Sequence, residues 1–151
     1  MRKLMLTATL LSVAAIGAAA HSLAVPFFAD NAPNLQGGTV SQGVAGFIGL
    51  MNTSSAPVLV DVTYVFDSGG TTVSQTPQRF QLQPLQGVSW RPYKDDPTEG
   101  NGRLVPNILP GGQPFGAAKI TWRGGEFGAN TLTGRYVQIS TTGSFAHILK
   151  D

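Results

Sequence analysis

The residues best suited to chemistry are concentrated in one stretch, "SWRPYKDDPTEGNGR", at positions 89–103. It holds the carboxylates of Asp95, Asp96 and Glu99 and the side-chain amide of Asn101. Such oxygen atoms are the ligands that calcium prefers in proteins. Their spacing, however, departs from the alternating Asp/Asn pattern of an EF-hand loop. The stretch therefore predicts either a calcium-binding surface loop or a solvated polar turn.

Three aromatic residues form a second candidate site. Trp90 and Trp122 occur in the related strings "VSWR" and "ITWR", and Tyr93 follows a proline in the polar stretch. Exposed, coplanar aromatic rings are what a carbohydrate-binding site needs. Because side chains alternate along a strand, each tryptophan shares a face with the preceding aliphatic residue, and this favours core packing. The same alternation points Arg91 and Arg123 toward solvent.

The N-terminal string "VPFFADNAPN", at 25–34, supplies an apolar segment followed by a polar one. Val25, Phe27 and Phe28 fit an edge strand of the chain's own domain. The alternative is strand addition, in which this segment pairs with the open sheet edge of a neighbouring subunit. Since consecutive elements usually pack locally, we expect the strand to belong to its own domain.

Templates for catalysis are missing from the sequence. Apart from His21, close to the leader, His147 is the remaining histidine, and no Gly-x-Ser-x-Gly, Ser-x-x-Lys or His-Glu-x-x-His string occurs. The glycine-rich string at 111–116 lacks the Lys-Ser/Thr of a phosphate-binding loop. We predict no enzyme and no cofactor, and no metal site other than the alternative of a calcium loop given above. The alternative is a hydrolase that uses Glu99 or Glu126 as its acid.

The first 24 residues read as a secretory signal peptide, because a cationic start precedes an apolar run and then small residues. Cleavage fits after Ala20 or after Ala24. We prefer Ala24, since an extended segment begins at Val25, and this leaves residues 25–151 as one domain. An uncleaved anchor is the alternative, although the apolar run is shorter than the roughly 20 residues of a membrane-spanning helix.

Charge and cysteine content indicate the cellular compartment of the protein and exclude some classes of partner. Loss of Arg2 and Lys3 with the leader takes the 10 Lys and Arg residues to eight, equal to the 8 Asp and Glu residues. This balance argues against nucleic acid or an anionic membrane as partner. With 0 cysteines the chain has no disulfide and no lipoprotein anchor. A cysteine-free exported domain indicates a bacterial protein of the periplasm, cell surface or exterior.

Alternating apolar residues predict strands along most of the remaining chain. The clearest run, 58–67, places Val58, Val60, Val62, Tyr64 and Phe66 on one face. The preceding run at 44–51 is apolar on both faces, as in a central strand, and the short loop between the two predicts a hairpin. Further strands are expected at 71–74, 79–82, 87–91, 117–123 and 131–141.

The end of the chain is less regular. Leu132 is out of phase with Val137 and Ile139, and a bulge at Gly134 would return all three to one buried face. Residues 145–149 either close the sheet or form a tail. Seven to nine short antiparallel strands without a long helix predict a single all-β sandwich.

The string "GFIGLMNTSSAPVLVDVTYVFDSGG", at 46–70, resembles the second and third strands of immunoglobulin-like domains in exported bacterial proteins. The resemblance implies an immunoglobulin-like sandwich that binds, spaces or assembles, with no catalytic residue. We therefore expect a non-enzymatic structural or adhesive protein whose partner is itself, another envelope protein or a glycan. The alternatives are a small carbohydrate-binding module and a filament subunit assembled through its N-terminal segment.

Overall fold

The computed structural model describes residues 21–30, 44–93, 107–125, 131–140 and 143–149, and all the regular structure in these ranges is β-strand. They form nine strands: β1 His21–Ala29, β2 Val44–Asn52, β3 Val58–Ser68, β4 Thr71–Ser74, β5 Gln78–Leu82, β6 Gly87–Trp90, β7 Phe115–Gly124, β8 Leu132–Ser140 and β9 Gly143–Ile148. None of these ranges contains a helix long and apolar enough to cross a membrane.

The strands make two antiparallel sheets that enclose one core. The five-stranded sheet has the order β1-β7-β3-β4, with β5 also paired to β3, and the four-stranded sheet has the order β6-β2-β8-β9. Strand β3 is the centre of the first sheet and buries every second residue from Val58 to Phe66. The predicted all-β, two-sheet architecture and the predicted buried face of β3 are confirmed.

The hairpin predicted between β2 and β3 is wrong, because the two strands lie in different sheets. The chain crosses between the sheets at Asn52, which is fully buried. Its Nδ2 donates hydrogen bonds to the carbonyl oxygens of Ala56 (2.8 Å) and Gln83 (3.0 Å), and its Oδ1 accepts one from the Ser54 hydroxyl (2.8 Å). This side chain thus ties the end of β2 to the loop that follows β5 in the opposite sheet.

The predicted bulge at Gly134 is also wrong. Strands β2 and β8 pair in one unbroken register, from Val44 opposite Ser140 to Asn52 opposite Leu132. Leu132 and Tyr136 face the core, whereas Val137 and Ile139 lie on the outer face of the sheet and are half-buried there. The phase conflict in the sequence therefore reflects apolar residues on both faces of the strand.

Strand β1 belongs to the chain's own sheet and forms its edge beside β7, as expected. It begins at His21, opposite Trp122, and its register shifts between Val25 and Phe28. Val25 and Phe28 are buried in the core, and Phe27 is 54% exposed. Because the strand starts at His21, cleavage of a leader after Ala20 would leave it whole, whereas cleavage after Ala24 would remove four paired residues.

Glycine at position 46 allows the two sheets to approach each other where β1 ends. A Cβ atom on Gly46 would lie 2.5 Å from the carbonyl oxygen of Ala29 and 2.7 Å from the Tyr136 hydroxyl. The Tyr136 hydroxyl itself accepts a hydrogen bond of 2.9 Å from the Ala29 N–H.

Candidate functional site

Both tryptophans lie in the core, as their alternation with aliphatic residues predicts. Trp90 is 1% exposed, and its indole N–H donates a 2.8 Å hydrogen bond to the Tyr64 hydroxyl in the opposite sheet. Trp122 is 5% exposed, and its ring stacks on His21 with centroids 5.6 Å apart. Neither indole presents a face on which a sugar ring could stack, and Tyr93 is the exposed member of the candidate aromatic set.

The candidate calcium ligands Asp95, Asp96, Glu99 and Asn101 lie outside the described residues, as does Glu126. Within the described part of the chain, no three His, Cys, Asp or Glu side chains come together in a way that could hold a metal ion.

Arg91, expected to face solvent, is 3% exposed and forms an ion pair with the fully buried Asp30. The Arg91 Nε–H donates to Asp30 Oδ1 at 2.9 Å, and Nη2 donates to the same oxygen. The backbone N–H of Tyr93 donates to Asp30 Oδ2 at 3.0 Å, and that of Gly46 donates to Oδ1 at 3.4 Å. One carboxylate thus joins the ends of β1 and β6 to the start of β2. The prediction of an outward Arg91 fails because its partner lies 61 residues earlier in the chain.

The buried ion pair lies next to the outer face of the four-stranded sheet. The Arg91 guanidinium carbon is 5.9 Å from the centroid of the Phe47 ring, which makes a cation–π contact. Phe47 lies on that outer face, because the alternating positions 46, 48 and 50 of β2 are the buried ones. The ion pair therefore supports one wall of a surface feature as well as the core.

That surface feature is a groove of about 230 Å³ across β2, β6 and β8. Its lining consists of small or apolar residues and one arginine: Phe47, Gly49, Ser89, Arg135, Val137 and Ile139. We call these six residues the outer groove. Arg135 is exposed. Its side chain runs beside Gly49, where an added Cβ would be in van der Waals contact with the Arg135 Cγ atom at 3.5 Å.

The outer faces of the two sheets differ in chemistry. On the five-stranded sheet the outward positions include five charged residues, Asp61, Asp67, Arg79, Lys119 and Arg123. On the four-stranded sheet the outward positions of β2, β8 and β9 include Phe47, Met51, Val137, Ile139 and Ile148, with Arg135 as the charged residue among them. One outer face is thus charged, and the other is largely apolar.

The charged face is held together by its own ion pairs. Arg79 Nε and Nη2 donate to the two carboxylate oxygens of Asp61 at 2.7 and 2.9 Å, and Arg123 lies 3.7 Å from the same carboxylate. The hydrogen bonds from Arg79, with the charges of Arg79 and Arg123, hold the pKa of Asp61 below its usual value although partial burial opposes this. Asp61 is therefore a structural carboxylate, ionised at neutral pH.

Two buried tyrosines take part in the contacts between the sheets. Burial is the main cause that raises the pKa of Tyr64 well above its ordinary value, and burial likewise raises the pKa of Tyr136 to about 12. The Tyr136 hydroxyl lies 3.1 Å from Gln138 Oε1. Both phenols remain neutral hydrogen-bonding groups under ordinary conditions.

His147 lies among aromatic rings. Its ring centroid is 5.5 Å from that of Tyr136 and 6.4 Å from that of Phe145. Its Nε2 atom is buried without a hydrogen-bond partner in the described part of the chain. The geometry of a nucleophile, a base and an orienting carboxylate does not arise around it in these ranges.

Two features were missed at the level of sequence, the outer groove and the Asp30–Arg91 pair. The groove had a signal in the out-of-phase Val137 and Ile139 and in the two apolar faces of the 44–51 run. A bulge accounted for that signal equally well until the register was known. The ion pair had no local signal.

No family model matches this chain, and no curated protein matches it. Among solved structures, the chain is similar to a crystal structure of Thermotoga maritima 1070, with a TM-score of 0.48 and 9% sequence identity. The likeness covers 87% of this chain and 93% of that one.

Proposed function

We propose that this chain is a non-enzymatic exported protein of the bacterial envelope or extracellular space, with a structural or adhesive role. It acts through protein contacts made by its four-stranded sheet. The observation that carries this proposal is the difference between the two outer faces, one charged and one largely apolar. Apolar side chains gathered on one face of a small domain are typical of surfaces that bind another molecule.

The use of the ionisable groups supports a role in contacts over a role in catalysis. Asp30 and Arg91 join three strand ends, and Asp61 pairs with Arg79 across neighbouring strands. A catalytic carboxylate instead needs a position open to a substrate and a partner group for proton transfer. These described charges have structural partners.

We further propose a relation to the immunoglobulin-like sandwich that is limited to four strands. In that fold, strand B pairs with E, strand C pairs with F, and the chain crosses between sheets from B to C. Strands β2, β6, β3 and β7 repeat this arrangement. The terminal strands depart from it. Strand β1 lies beside β7, whereas strand A of that fold lies beside B, which corresponds to β2 here. Strand β8 lies beside β2, whereas strand G of that fold lies beside F, which corresponds to β7.

The two alternative functions receive less support from the geometry. A carbohydrate-binding surface on Trp90, Tyr93 and Trp122 would have to work with both indoles in the core. A filament built by exchange of the N-terminal strand would have to remove Val25 and Phe28 from the chain's own core. It would also have to separate Asp30 from Arg91.

Charge placed on each outer face in turn tests the proposal. Val137→Lys introduces a cation into the outer groove, and Thr121→Lys is the matched control on the outer face of the other sheet. We expect the native protein and Thr121→Lys to co-sediment with the envelope fraction or with a large assembly in the medium. We expect Val137→Lys to be released into the supernatant, with its melting temperature within a few degrees of native. Equal sedimentation of all three proteins would refute a contact role for the four-stranded sheet.

A further inference from the structure

Among the residues that the structure describes, strand β9 is an edge strand that lacks the usual protection against pairing. It lies at one end of the four-stranded sheet, and its six residues, Gly143–Ile148, include no charged residue and no proline. Five of the six are exposed, among them Phe145 at 50% and Ile148 at 75%. Natural edge strands are ordinarily kept from pairing by charge, proline, a bulge or short length.

The other edge strands in the described part of the chain each carry such protection. Strand β1 contains Pro26 and a register shift next to it. Strands β4 and β6 have only four residues each, and Pro92 follows β6 closely. Strand β5 carries the exposed, charged Arg79. Strand β9 therefore differs from the other described edge strands, because it has no charge, proline, register shift or very short length that would keep a further strand from pairing with it.

The backbone pattern shows which groups of β9 face outward. The Leu149 N–H donates to the Gly134 carbonyl oxygen at 2.9 Å, in continuation of the β8–β9 register. In an antiparallel pair, successive residues alternate between pointing their N–H and C=O groups at the partner strand and pointing them away. The alternate residues Gly143, Phe145, His147 and Leu149 therefore direct their N–H and C=O groups toward β8. Ser144, Ala146 and Ile148 consequently direct their N–H and C=O groups to the open edge.

These three residues are spaced for pairing with themselves about a two-fold axis. When Ala146 faces the partner's Ala146 in antiparallel register, Ser144 faces the partner's Ile148. Each of these is a hydrogen-bonded pair, so the outward groups of both edges find partners in about six hydrogen bonds. An isologous contact of this kind closes as a dimer and leaves no further β9 edge open.

The same register covers the exposed aromatic ring of the edge. Phe145 and His147 lie on the same face of β9 as Tyr136 of the neighbouring strand, and their own rings stack. In the two-fold register Phe145 stands opposite the partner's His147. Aromatic side chains directly opposite each other in non-hydrogen-bonded pairs lie close enough to stabilise a sheet. The half-exposed Phe145 ring of each subunit is thereby covered by the His147 ring of the other.

We propose that β9 is a dimerisation edge, at which a second copy of this chain adds antiparallel with Ala146 on the two-fold axis. The two four-stranded sheets then form one continuous eight-stranded sheet. This inference goes beyond the proposed contact of the outer face, because it assigns a second contact, at the edge of the same sheet, to another copy of this chain. It also places the two outer grooves on the same side of the combined sheet.

A charge-swap experiment at Ala146 tests the register. The side chain of Ala146 is exposed, and its backbone groups make no bond to β8, so both Ala146→Lys and Ala146→Glu are expected to fold. In the two-fold register each variant places like charges directly opposite each other. We expect dimerisation to weaken by about tenfold or more in either variant, and an equimolar mixture to form heterodimers again. Sedimentation velocity at micromolar concentration measures both effects.

The control variant is Thr72→Lys, which adds the same charge to an exposed residue of the edge strand β4 and is expected to leave the dimer intact. Ala146→Pro is a second test, because it removes one outward N–H without removing a bond to β8. A monomeric native protein, or a dimer that neither Ala146 charge variant weakens, would overturn the proposal. So would a mixture of the two variants that stays monomeric. If Val137→Lys abolishes sedimentation with the envelope while Ala146→Lys keeps the native dimer, the contact role stands and the β9 edge is excluded.

Discussion

The buried pair between Asp30 and Arg91 offers the sharpest test of how the fold is held together. Asp30→Ala removes the acceptor of two hydrogen bonds from the guanidinium and of the bonds from the N–H groups of Gly46 and Tyr93. Arg91 is 3% exposed in the native protein, so its guanidinium has little access to water when the carboxylate is lost. The variant therefore leaves a buried positive charge without its counter-ion.

The expected loss is large compared with the stability of a domain of this size. Removal of one partner of a buried ion pair costs about 3–5 kcal/mol, because the remaining charge is left uncompensated. A typical domain has a free energy of unfolding of about 5–15 kcal/mol. For a chain of this length the loss corresponds to a melting temperature about 10–20 °C lower.

Urea unfolding followed by tryptophan fluorescence measures this loss, since Trp90 is in the core next to Arg91 in sequence. Asp61→Ala is the matched control, because it also removes a carboxylate that accepts two hydrogen bonds from one arginine. Its partner Arg79 is 53% exposed, and an exposed pair of this kind contributes about 1 kcal/mol or less. Asp30→Ala should therefore lower the free energy of unfolding several times more than Asp61→Ala does.

A double variant separates the ion pair from the rest of the cluster. In Asp30→Leu/Arg91→Met both charges are gone, and apolar replacement of a buried pair is often close to neutral. We expect the double variant to be more stable than Asp30→Ala but less stable than the native protein, since two N–H groups still lose their acceptor. Equal losses for Asp30→Ala and Asp61→Ala would refute the view that the buried pair joins the three strand ends.

Three further outcomes are expected. Because hydrogen bonds from Arg79 keep the pKa of Asp61 below its usual value, the stabilisation by Asp61 is complete above the unfolded-state pKa of about 4 and is lost as the pH falls through the lower folded-state pKa. The free energy of unfolding, measured by urea titration from pH 6 to pH 2, should fall less steeply for Asp61→Asn than for the native protein. Burial raises the pKa of Tyr136 to about 12, so its stabilisation is complete below about pH 10 and is lost as the pH rises toward 12. Tyr136→Phe should reduce that alkaline loss and cost about 1 kcal/mol at neutral pH. Finally, on the proposal that the chain is exported, Edman sequencing of the mature protein should find cleavage after Ala20. A variant that begins after Ala24 should melt at a lower temperature, because four paired residues of β1 are then missing.

Local alternation was sufficient to find most strands of this chain. In β3 one face is apolar at every second residue and the other is not, so the strand and its buried face follow directly from the sequence. The same reasoning placed both tryptophans in the core. It worked because alternation depends only on whether each residue of a strand is buried or exposed, and the type of that residue reflects this directly.

Sheet membership and register could not be obtained in this way. A short loop after a strand is compatible with a hairpin and with a crossing to the opposite sheet. Here the buried Asn52 stabilises the crossing through a hydrogen bond to the carbonyl oxygen of Gln83, 31 residues later. The direction of Arg91 was likewise decided by Asp30, at a separation of 61 residues. Such contacts become visible only when the whole topology is known.

The candidate site followed a similar division. The polar stretch at 89–103 has residue types that suit metal binding, and its candidate ligands at 95–101 lie outside the described residues. The groove is lined by small or apolar residues and one arginine, and only the outward position of the apolar ones distinguishes them from core residues. A sequence pattern records that Val137 and Ile139 are apolar, whereas the register of Val137 opposite Phe47 and the alternation along β8 show that they face outward.

The outer groove and the β9 edge make complementary contributions to a contact of the four-stranded sheet. Backbone hydrogen bonds at an edge replace bonds to water, so each adds only about 0.5–1.5 kcal/mol, but they fix direction and register. Apolar area contributes free energy without direction, at about 25 cal/mol per Å². An edge without apolar cover would thus pair weakly, and an apolar face without an edge would bind with little specificity. In the proposed dimer the β9 edge sets the register, and the two outer grooves stay uncovered on one side of the combined sheet, where their apolar area is free to contribute to a further contact.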